Sequence, residues 1–498
     1  MKETLALAVI SMFIAPLSLI SQGQELTTHN QSQQAAPQNR IARQNTMPGM
    51  PMPQQQTLRS REGQQLSEFV DLLTEVARRP ALRLKDFEDL ALANNPAIKQ
   101  AESLVRRSAG QARQAGLYPN PSAGYTGEEI RGGSFGGGEN GGFIQQNIVL
   151  GGKLGLRRRV FEEQRREDEL GVIEQRYRLT AEVGEQFYSA LAAQELANLQ
   201  RSLSRIADDA VETAHQLANV GQADEPDILQ AEEEAQQAVI DYVAAQRNYL
   251  QAFSSLAVVV GKPELPVSPL EGRLDDWPKL DTEQVLATVV RDSPSVKRAQ
   301  QAVQQAEAKL RSAQREAVPN LQLRAGIRQD SEPLNEAATK STSVGAIGFV
   351  TLGVSIPIFN RNQGNVQAAR AELERAQADV TRVQLSLRRM VQPFVQNYLT
   401  GQLEAERYKS VMIPRATRSY QLYLAKYRQM AAAYPQVIIS QRTLFQLQVN
   451  YLRVLERLWV NAIALRNFSL SGALDPPVPS GSVSTTINLP TSGDGEVD

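Results

Sequence analysis

The chain has 498 residues, and its composition argues against a row of ordinary globular domains. Only 6% of the residues are aromatic, whereas Ala, Gln, Glu, Arg and Leu are abundant, which favours long helices over thick cores. The 53 Lys and Arg residues nearly balance the 54 Asp and Glu residues, so no strong net charge indicates a nucleic-acid partner. The absence of Cys excludes disulfides and thiolate chemistry, and two His residues argue against a His-rich metal centre or a Ser-His triad. We therefore expect no catalytic group, metal site or cofactor.

The N-terminus has the pattern of a secretory signal peptide over residues 1–23. Lys2 supplies a positive charge, the stretch from Leu5 to Ile20 is apolar, and small residues precede a possible cleavage site before Gln24. A membrane anchor is the alternative, but the stretch is short and contains Pro16. The pattern predicts export.

Residues 24–66 are rich in Gln, Pro and Met and show no hydrophobic periodicity, which predicts a flexible segment. Met47, Met50 and Met52 lie close together within it. Thioethers are soft ligands that suit Cu(I), so this cluster is either a copper site or a low-complexity sequence without a role.

An internal repeat organises the rest of the chain. The sequence around Pro96 recurs around Pro294, about 200 residues later, and Tyr118-Pro119-Asn120 recurs as Val318-Pro319-Asn320. A period this long indicates duplication of half a protein. The predicted divisions are a first repeat at 80–261, a linker at 262–280, a second repeat at 281–472 and a flexible C-terminal tail at 473–498.

Each copy is predicted to contain a helix, two strands, a very long helix and a shorter helix. In the first copy these elements are placed at 85–117, 121–130, 143–149, 154–220 and 228–260. In the second copy they are placed at 281–317, 320–329, 345–356, 364–427 and 436–470. A glycine-rich loop is expected at 132–142, and its counterpart at 330–343, since so much Gly disfavours regular structure. In the second long helix, Pro393 and Pro414 are expected to cause bends.

The helix lengths suggest how the helices pack. A 67-residue helix is about 100 Å long, and the two shorter helices of one copy together match that length. An apolar seam with alternating spacings of three and four residues supports coiled-coil packing of these helices. The seam consists of Leu196, Leu199, Leu203, Ile206, Ala210, Thr213, Leu217 and Val220. On this signal alone, a soluble antiparallel coiled coil without a membrane role is the favoured interpretation.

Six residues are predicted at the junctions between strands and helices. Glycines are expected where a strand turns sharply into a helix, and prolines belong at junctions because they cannot donate a hydrogen bond within a sheet. The six are Pro119, Gly151, Gly152, Pro319, Pro357 and Gly364.

The turn after each long helix is the candidate site for gating or docking. In the first turn, Gly221 is expected to end the long helix and Asp227 to cap the next one. The other charged candidates are Asp224 and Glu225 at the first turn, with Lys426 and Arg428 near the second. We expect these opposite charges to meet between neighbouring hairpins. The alternative is that they are ordinary helix caps and solvated charges.

These segments together resemble the outer-membrane efflux proteins of the TolC type, in particular their heavy-metal branch associated with RND pumps. The resemblance covers residues 80–472. Its most specific parts are Asn120-Pro121, the segments 146–153 and 356–364, and the first turn with Val220-Gly221 and 227–231.

The resemblance implies a mainly α fold with a membrane β-barrel, built from a duplicated helix–strand–strand–long helix–helix unit. It implies a homotrimer in which each chain gives four strands to a twelve-stranded barrel in outer-membrane lipid and its helices to a periplasmic α-barrel. The linker, with Trp277, would contribute to an equatorial belt. The turns would meet a periplasmic adaptor, or membrane fusion protein, bound to an inner-membrane RND pump.

The implied function is a passive exit duct for metal ions or small toxic compounds. A periplasmic coiled-coil adaptor or scaffold is the alternative. Two features depart from the family pattern. Many relatives begin with a lipidated Cys, which is absent here, so attachment is expected to rest on the barrel. At the second turn, Met430 and Gln436 replace the usual glycine and acidic residue.

Overall fold

The structure is a computed structural model that describes residues 72–131, 137–221, 223–334, 342–429 and 431–477. The predicted signal peptide, the segment with Met47, Met50 and Met52, Met430 and most of the C-terminal tail lie outside the described residues. No helix in the described part of the chain is long and apolar enough to cross a membrane.

The described chain is mainly helical and contains one sheet. The first half comprises α1 (Leu72–Val76), α2 (Leu84–Asn94), α3 (Pro96–Ala115), β1 (Ser122–Arg131), β2 (Gly137–Ile148), α4 (Lys153–Asn219) and α5 (Glu225–Val259). The second half comprises α6 (Thr282–Asp292), α7 (Pro294–Arg315), β3 (Leu321–Leu334), β4 (Thr342–Val354), α8 (Gln363–Arg407), a π-helical turn (Tyr408–Met412), α9 (Ile413–Arg428) and α10 (Tyr434–Arg466).

The first predicted helix of each copy is two helices rather than one. Asn95 has an extended backbone (φ −62°, ψ 126°), and its side chain accepts a hydrogen bond from Ala97 N and donates one to Val259 O. Ser293 has similar backbone angles (φ −52°, ψ 135°) before Pro294, without a side-chain cap. A residue before proline is sterically disfavoured in the helical region, so the chain bends there and a new helix starts at the proline. The prediction of continuous helices at 85–117 and 281–317 was wrong at these two points.

The two predicted proline bends have different outcomes. Pro393 lies inside α8 without ending it. Pro414 is the second residue of α9, which begins directly after the π-helical turn Tyr408–Met412. A π turn widens the helix locally, which accommodates a residue that lacks an N–H and clashes with the preceding turn.

The four strands form an antiparallel sheet in the order β1-β2-β3-β4. Strand β2 begins at Gly137, so the prediction that 132–142 is a loop was wrong for its second part, and β3 and β4 extend into the predicted loop 330–343. Gly141 explains why glycine occurs in this strand. A Cβ at this position would lie 2.3 Å from Ile327 O and 2.6 Å from Arg328 Cα. Glycine here permits a close approach between β2 and β3.

The two faces of the sheet differ in chemistry. One, the apolar face, is strongly exposed and consists of Tyr125, Ile144, Ile327, Val350 and Leu352, with Tyr125 70% and Val350 71% exposed. The opposite face, the arginine face, carries mainly half-buried side chains, namely Phe143, Gln145, Arg324, Arg328, Phe349 and Thr351. This alternation is typical of a sheet that separates a lipid phase from a polar interior.

Helix α4 is the central element of the helical part and packs against α3, α5 and α7. The largest core cluster includes the rings of Phe87, Phe187 and Phe253, with centroid distances of 5.8 Å for Phe87–Phe187 and 6.0 Å for Phe87–Phe253. Tyr188 and Trp459 stack at 3.8 Å and join α4 to α10.

The buried seam of α4 differs from the predicted one. Leu203, Ala207 and Ala214 are buried, whereas Ile206 and Val220 are exposed. The heptad spacing holds, and Ala occupies much of it because this small residue lets neighbouring helices approach closely. The prediction was confirmed for Leu203 and wrong for Ile206 and Val220, which are exposed in the single chain.

The segment 262–280 between the two halves is extended and closely tied to the helices. Tyr249 donates a hydrogen bond to Ser268 O (2.7 Å), and Trp459 donates one to Leu274 O (2.9 Å). Gln194 both donates to and accepts from the backbone of Leu270. Side chains from three helices thus satisfy backbone groups that no regular structure pairs.

Candidate functional site

The junctions between strands and helices are held by left-handed residues. Gly151 (φ 74°) and Gly152 (φ 67°) form the turn from β2 into α4, and a Cβ at Gly151 would lie 3.0 Å from Val318. At the second junction the left-handed residue is Asn362 (φ 64°), the N-cap of α8, while Gly364 lies within α8 with open space around it. The structure therefore gives Asn362 the turning role expected of Gly364.

The prolines of these junctions flank the strands. Pro119 and Pro319 precede β1 and β3, and Pro357 follows β4. The carbonyl of Pro119 accepts a hydrogen bond from the Gln146 side chain (2.8 Å). The buried amino group of Lys153 donates to Asn320 Oδ1 (3.0 Å), which links the start of α4 to the start of β3.

The first turn begins with the predicted left-handed glycine, but the N-cap of the helix that follows is not the predicted residue. Gly221 (φ 75°) follows α4 in the left-handed conformation. The N-cap of α5 is Asp224 rather than Asp227, because α5 begins at Glu225 and Asp227 lies in its first turn. Carboxylates at Glu225 and Asp227 are favourable there, since the N-terminus of a helix carries partial positive charge.

The two turns are linked through a small apolar cluster. Tyr434 and Ile438 of α10 pack with Ala214 of α4 and Ala231 of α5. The rings of Tyr427 and Tyr434 lie 5.4 Å apart. Burial, and the nearby charge of Asp227, raise the pKa of Tyr427. This cluster fixes the end of one hairpin to the end of the other.

The predicted charges surround this cluster without pairing in a single chain. Asp224, Glu225, Lys426 and Arg428 are exposed. Within the described part of one chain, no ion pair joins the three acidic residues of the first turn to Lys426 or Arg428. The expected contact between neighbouring hairpins of different chains stays a prediction.

That prediction can be tested by conductance. Replacing both Asp224 and Glu225 with Ala should raise single-channel conductance at low salt, because the variant lacks the attraction that favours closed turns. Exposed pairs contribute only about 0–1 kcal/mol each, but the contribution repeats around an oligomer. The difference should shrink at about 1 M salt, where the Debye length is about 3 Å. An unchanged conductance at low salt, in a variant that still assembles, would leave only the capping role.

A buried ionic cluster lies where α4 meets α3 and α7, and the sequence analysis missed it. Arg298 of α7 contacts Glu174 (2.8 Å) and Glu167 (3.9 Å) of α4, and Arg178 contacts Glu174 (2.7 Å). The cluster comprises Glu163, Glu167, Asp168, Glu174, Arg178 and Arg298. Three of its acidic members, Glu163, Glu167 and Glu174, recur at spacings of four and seven residues, a signal that these charges share one face of α4.

Two carboxylates of this cluster have pKa values shifted in opposite directions by their surroundings. Burial would raise the pKa of Glu174, but the charges of Arg298 and Arg178 outweigh it, so the pKa is lowered. Burial raises the pKa of Glu167 to about 7, with a contribution from Asp168 and opposition from Arg298. Ser108 donates a hydrogen bond to Asp168, which ties α3 to the same cluster.

The raised pKa of Glu167 predicts a pH-dependent stability. The folded state binds this proton more tightly than the unfolded state. Its contribution is therefore complete below about pH 4.5 and is lost as the pH rises through about 7. The loss amounts to about 3 kcal/mol. Glu167→Gln should therefore be more stable relative to the wild type at about pH 8 than at about pH 5. Thermal unfolding followed by circular dichroism measures this.

Glu372→Gln is the control for the pH experiment. Glu372 is exposed, and its hydrogen bond with Arg375 lowers its pKa, so it does not titrate in the same window. An equal gain of both variants with rising pH would contradict the assignment to Glu167.

Comparison with known proteins identifies the family to which this chain belongs. The family model for outer membrane efflux proteins matches residues 88–262 and 286–469. The chain belongs to the outer membrane efflux protein family. The two matched stretches each contain one strand pair and the helices around it. The outer membrane efflux protein fold, mainly helical with four antiparallel strands per chain, is therefore confirmed.

Similar members of the family are heavy-metal resistance proteins. The chain is 25% identical over 376 residues to the cobalt-zinc-cadmium resistance protein CzcC of Cupriavidus metallidurans, which covers 75% of this chain and 86% of CzcC. It is 24% identical to the nickel-cobalt-cadmium resistance protein NccC of Alcaligenes xylosoxydans xylosoxydans, covering 59% of this chain and 65% of NccC. The predicted resemblance to the heavy-metal branch is confirmed.

The fold also matches that of a solved channel protein. The crystal structure of CusC, for which transmembrane channel formation is described, aligns with a TM-score of 0.63 at 18% identity over 78% of this chain and 92% of CusC. As a member of the outer membrane efflux protein family, the chain is an efflux component of the outer membrane. The alternative of a periplasmic adaptor is wrong, because the family match covers both halves of the chain.

Proposed function

We propose that three copies of the chain form a passive exit duct through which a tripartite RND pump expels divalent metal cations. The observation that carries this proposal is the two-faced sheet, with its exposed apolar face on one side and its arginine face on the other. Four strands leave two open edges, and an open edge in lipid has unsatisfied backbone groups. Three sheets joined edge to edge give twelve strands and remove those edges.

Exposed apolar residues on the helices support the same assembly. Ile240, Leu385 and Ile439 are 61%, 62% and 62% exposed in the single chain. Large apolar side chains that are exposed on the helices of a single chain indicate contacts with further chains. Neighbouring copies would cover them as the helices close into an α-barrel.

The proposed division of labour within the chain follows from this assembly. The repeats 80–261 and 281–472 each give two strands and one helical hairpin. The linker 262–280, with half-buried Trp277 beside the amino group of Lys409, would contribute to an equatorial belt. No step of chemistry is assigned to the chain, and its role is to provide a path.

The periplasmic end would receive the adaptor. A groove of about 690 Å³ runs between the first hairpin and α10, and its lining combines polar residues such as Glu233 and Gln237 with apolar ones such as Leu203 and Phe445. The ion pair between Glu234 and Arg442 borders it. A groove of this mixed lining suits an amphipathic helical hairpin of a periplasmic membrane fusion protein, which in turn would bind the inner-membrane pump.

The substrate class is proposed from the relatives, both of which are cobalt and cadmium resistance proteins. Deleting the gene should lower tolerance to cobalt, zinc, nickel or cadmium, and the wild-type gene should restore it. A Gly141→Val gene, which we expect to fail in assembly, is the matched negative control. Unchanged metal tolerance together with lost tolerance to organic toxicants would replace the metal substrate with a small organic one.

A further inference from the structure

We propose that Arg324, with Gln145 and Thr351 beside it, forms a binding site for small oxyanions on the arginine face of the sheet. This inference rests on the proposed function, in which the arginine face lines the lumen. The resemblance implies a passive duct without a binding site on its wall, and the proposal adds such a site.

The position of Arg324 is fixed by aromatic rings. Its guanidinium carbon lies 3.8 Å from the ring centroid of Phe143 on β2 and 5.8 Å from that of Phe349 on β4. Each ring packs against a glycine of the neighbouring strand. A Cβ at Gly124 would be 2.6 Å from Phe143 Cζ, and a Cβ at Gly326 would be 2.8 Å from Phe349 Cζ. The side chain is thereby held over a rigid platform, which lowers the entropy lost when a ligand binds.

A guanidinium held against a ring keeps its donors available. The N–H groups of arginine point outward in the guanidinium plane, so stacking covers the face of the group and leaves its edge able to bind acceptors. Arg324 Nε is itself buried and has no hydrogen-bond partner among the described residues, so a ligand would bind the terminal N–H groups of the guanidinium. No carboxylate in the same part of the chain forms an ion pair with Arg324, so its charge is uncompensated nearby.

The neighbours of Arg324 add neutral donors. Gln145 is its direct partner on β2, and Thr351 is its direct partner on β4. Directly opposed residues have Cβ atoms about 5 Å apart on the same face. A guanidinium, an amide and a hydroxyl side by side match the acceptor oxygens of sulfate, phosphate or a carboxylate.

Arg328 lies four residues further along β3 and serves as an internal comparison, because its charge, unlike that of Arg324, is paired. It contacts Glu139 at 2.5 Å and Glu128 at 3.5 Å, so its charge is compensated. The guanidinium carbons of Arg324 and Arg328 lie 5.8 Å and 5.5 Å from the centroid of the same ring, that of Phe349. Among the described residues, Glu128 and Glu139 form ion pairs with Arg328 and not with Arg324.

In the trimer, three such sites would lie at one level of the barrel. Divalent cations leaving through the duct carry charge outward, and an anion site on the wall would let counter-anions enter the same path. The site would thus reduce the build-up of positive charge in the lumen without selecting the exported cation.

The test uses the full-length protein in planar bilayers with inorganic sulfate as the probe. Sulfate should reduce single-channel chloride conductance in a saturable way. Arg324→Gln should weaken this block about tenfold, as expected for the loss of a charge-assisted hydrogen-bonding group. Arg324→Lys should keep the chloride permeability but weaken the sulfate block, because lysine retains the charge and lacks the planar donors.

The matched control is the double variant Arg328→Gln with Glu139→Gln, which removes one charge of each sign from the same face. Sulfate should block this variant as strongly as it blocks the wild type. A sulfate block that is equal in the wild type and Arg324→Gln, in channels of normal conductance, would overturn the site and leave the duct intact. Failure of the wild-type protein to form any channel would instead overturn the proposed duct, and the site with it.

Discussion

Replacing Gly141 with Val should prevent the protein from accumulating in the outer membrane. The new Cβ would overlap Ile327 O and Arg328 Cα, which are backbone atoms of β3 and cannot move without breaking the β2–β3 pairing. That pairing is the only link between the two hairpins of the described sheet. Overpacking of this kind costs about 3 kcal/mol. We expect most of the protein to be degraded, as measured by immunoblotting of outer-membrane fractions.

The neighbouring Gly142 provides the matched control. Its side-chain position lies on the apolar face, and the nearest atom to an added Cβ is Gly124 O at 3.9 Å. Gly142→Val should therefore accumulate normally, since an apolar side chain is suited to that face. Normal levels of both variants would show that β2 and β3 do not approach as closely as the structure indicates.

Replacing Arg298 with Met should strongly destabilise the helical part near the sheet. The arginine is largely buried and neutralises Glu174 and Glu167. Removing one partner of a buried pair leaves uncompensated charge and costs about 3–5 kcal/mol. The thermal unfolding midpoint and the resistance to proteolysis of solubilised protein should both fall. Adding Glu167→Gln should recover part of the loss, because Glu167 loses its ion pair with Arg298 whereas Glu174 keeps the one with Arg178.

An exposed pair on α8 is the control for Arg298. Arg375 and Glu372 form a 2.6 Å ion pair in which both side chains are well exposed. Arg375→Met should cost about 0–1 kcal/mol, since water screens such pairs. Equal destabilisation by the two substitutions would contradict the role assigned to burial.

The long helices could be predicted closely from sequence because their signals are local. Helix α4 spans Lys153–Asn219 against a predicted 154–220, since glycines fix both of its ends and no proline interrupts it. The break at Asn95 was also encoded locally, by the proline that follows. It was missed because the hydrophobic pattern continues across it.

Other features depend on residues far apart in the chain, and the sequence alone could not supply them. Gly141 belongs to a strand only because β3, almost 200 residues later, approaches it closely. Arg298 compensates carboxylates on α4 more than 120 residues away. The stacking of Arg324 on Phe143 depends on the register of β2 with β3. The sequence analysis named none of these groups, because only the fold shows which residues meet.

The native mass of the protein extracted from outer membranes in mild detergent tests the trimeric duct most directly. The account predicts a particle of three chains, because the four-stranded sheet has two open edges and the helices expose large apolar side chains. The Gly141→Val variant should yield little or none of this particle. A wild-type protein that is a monomer under the same conditions, with its sheet intact, would contradict the closed twelve-stranded barrel and the duct built on it.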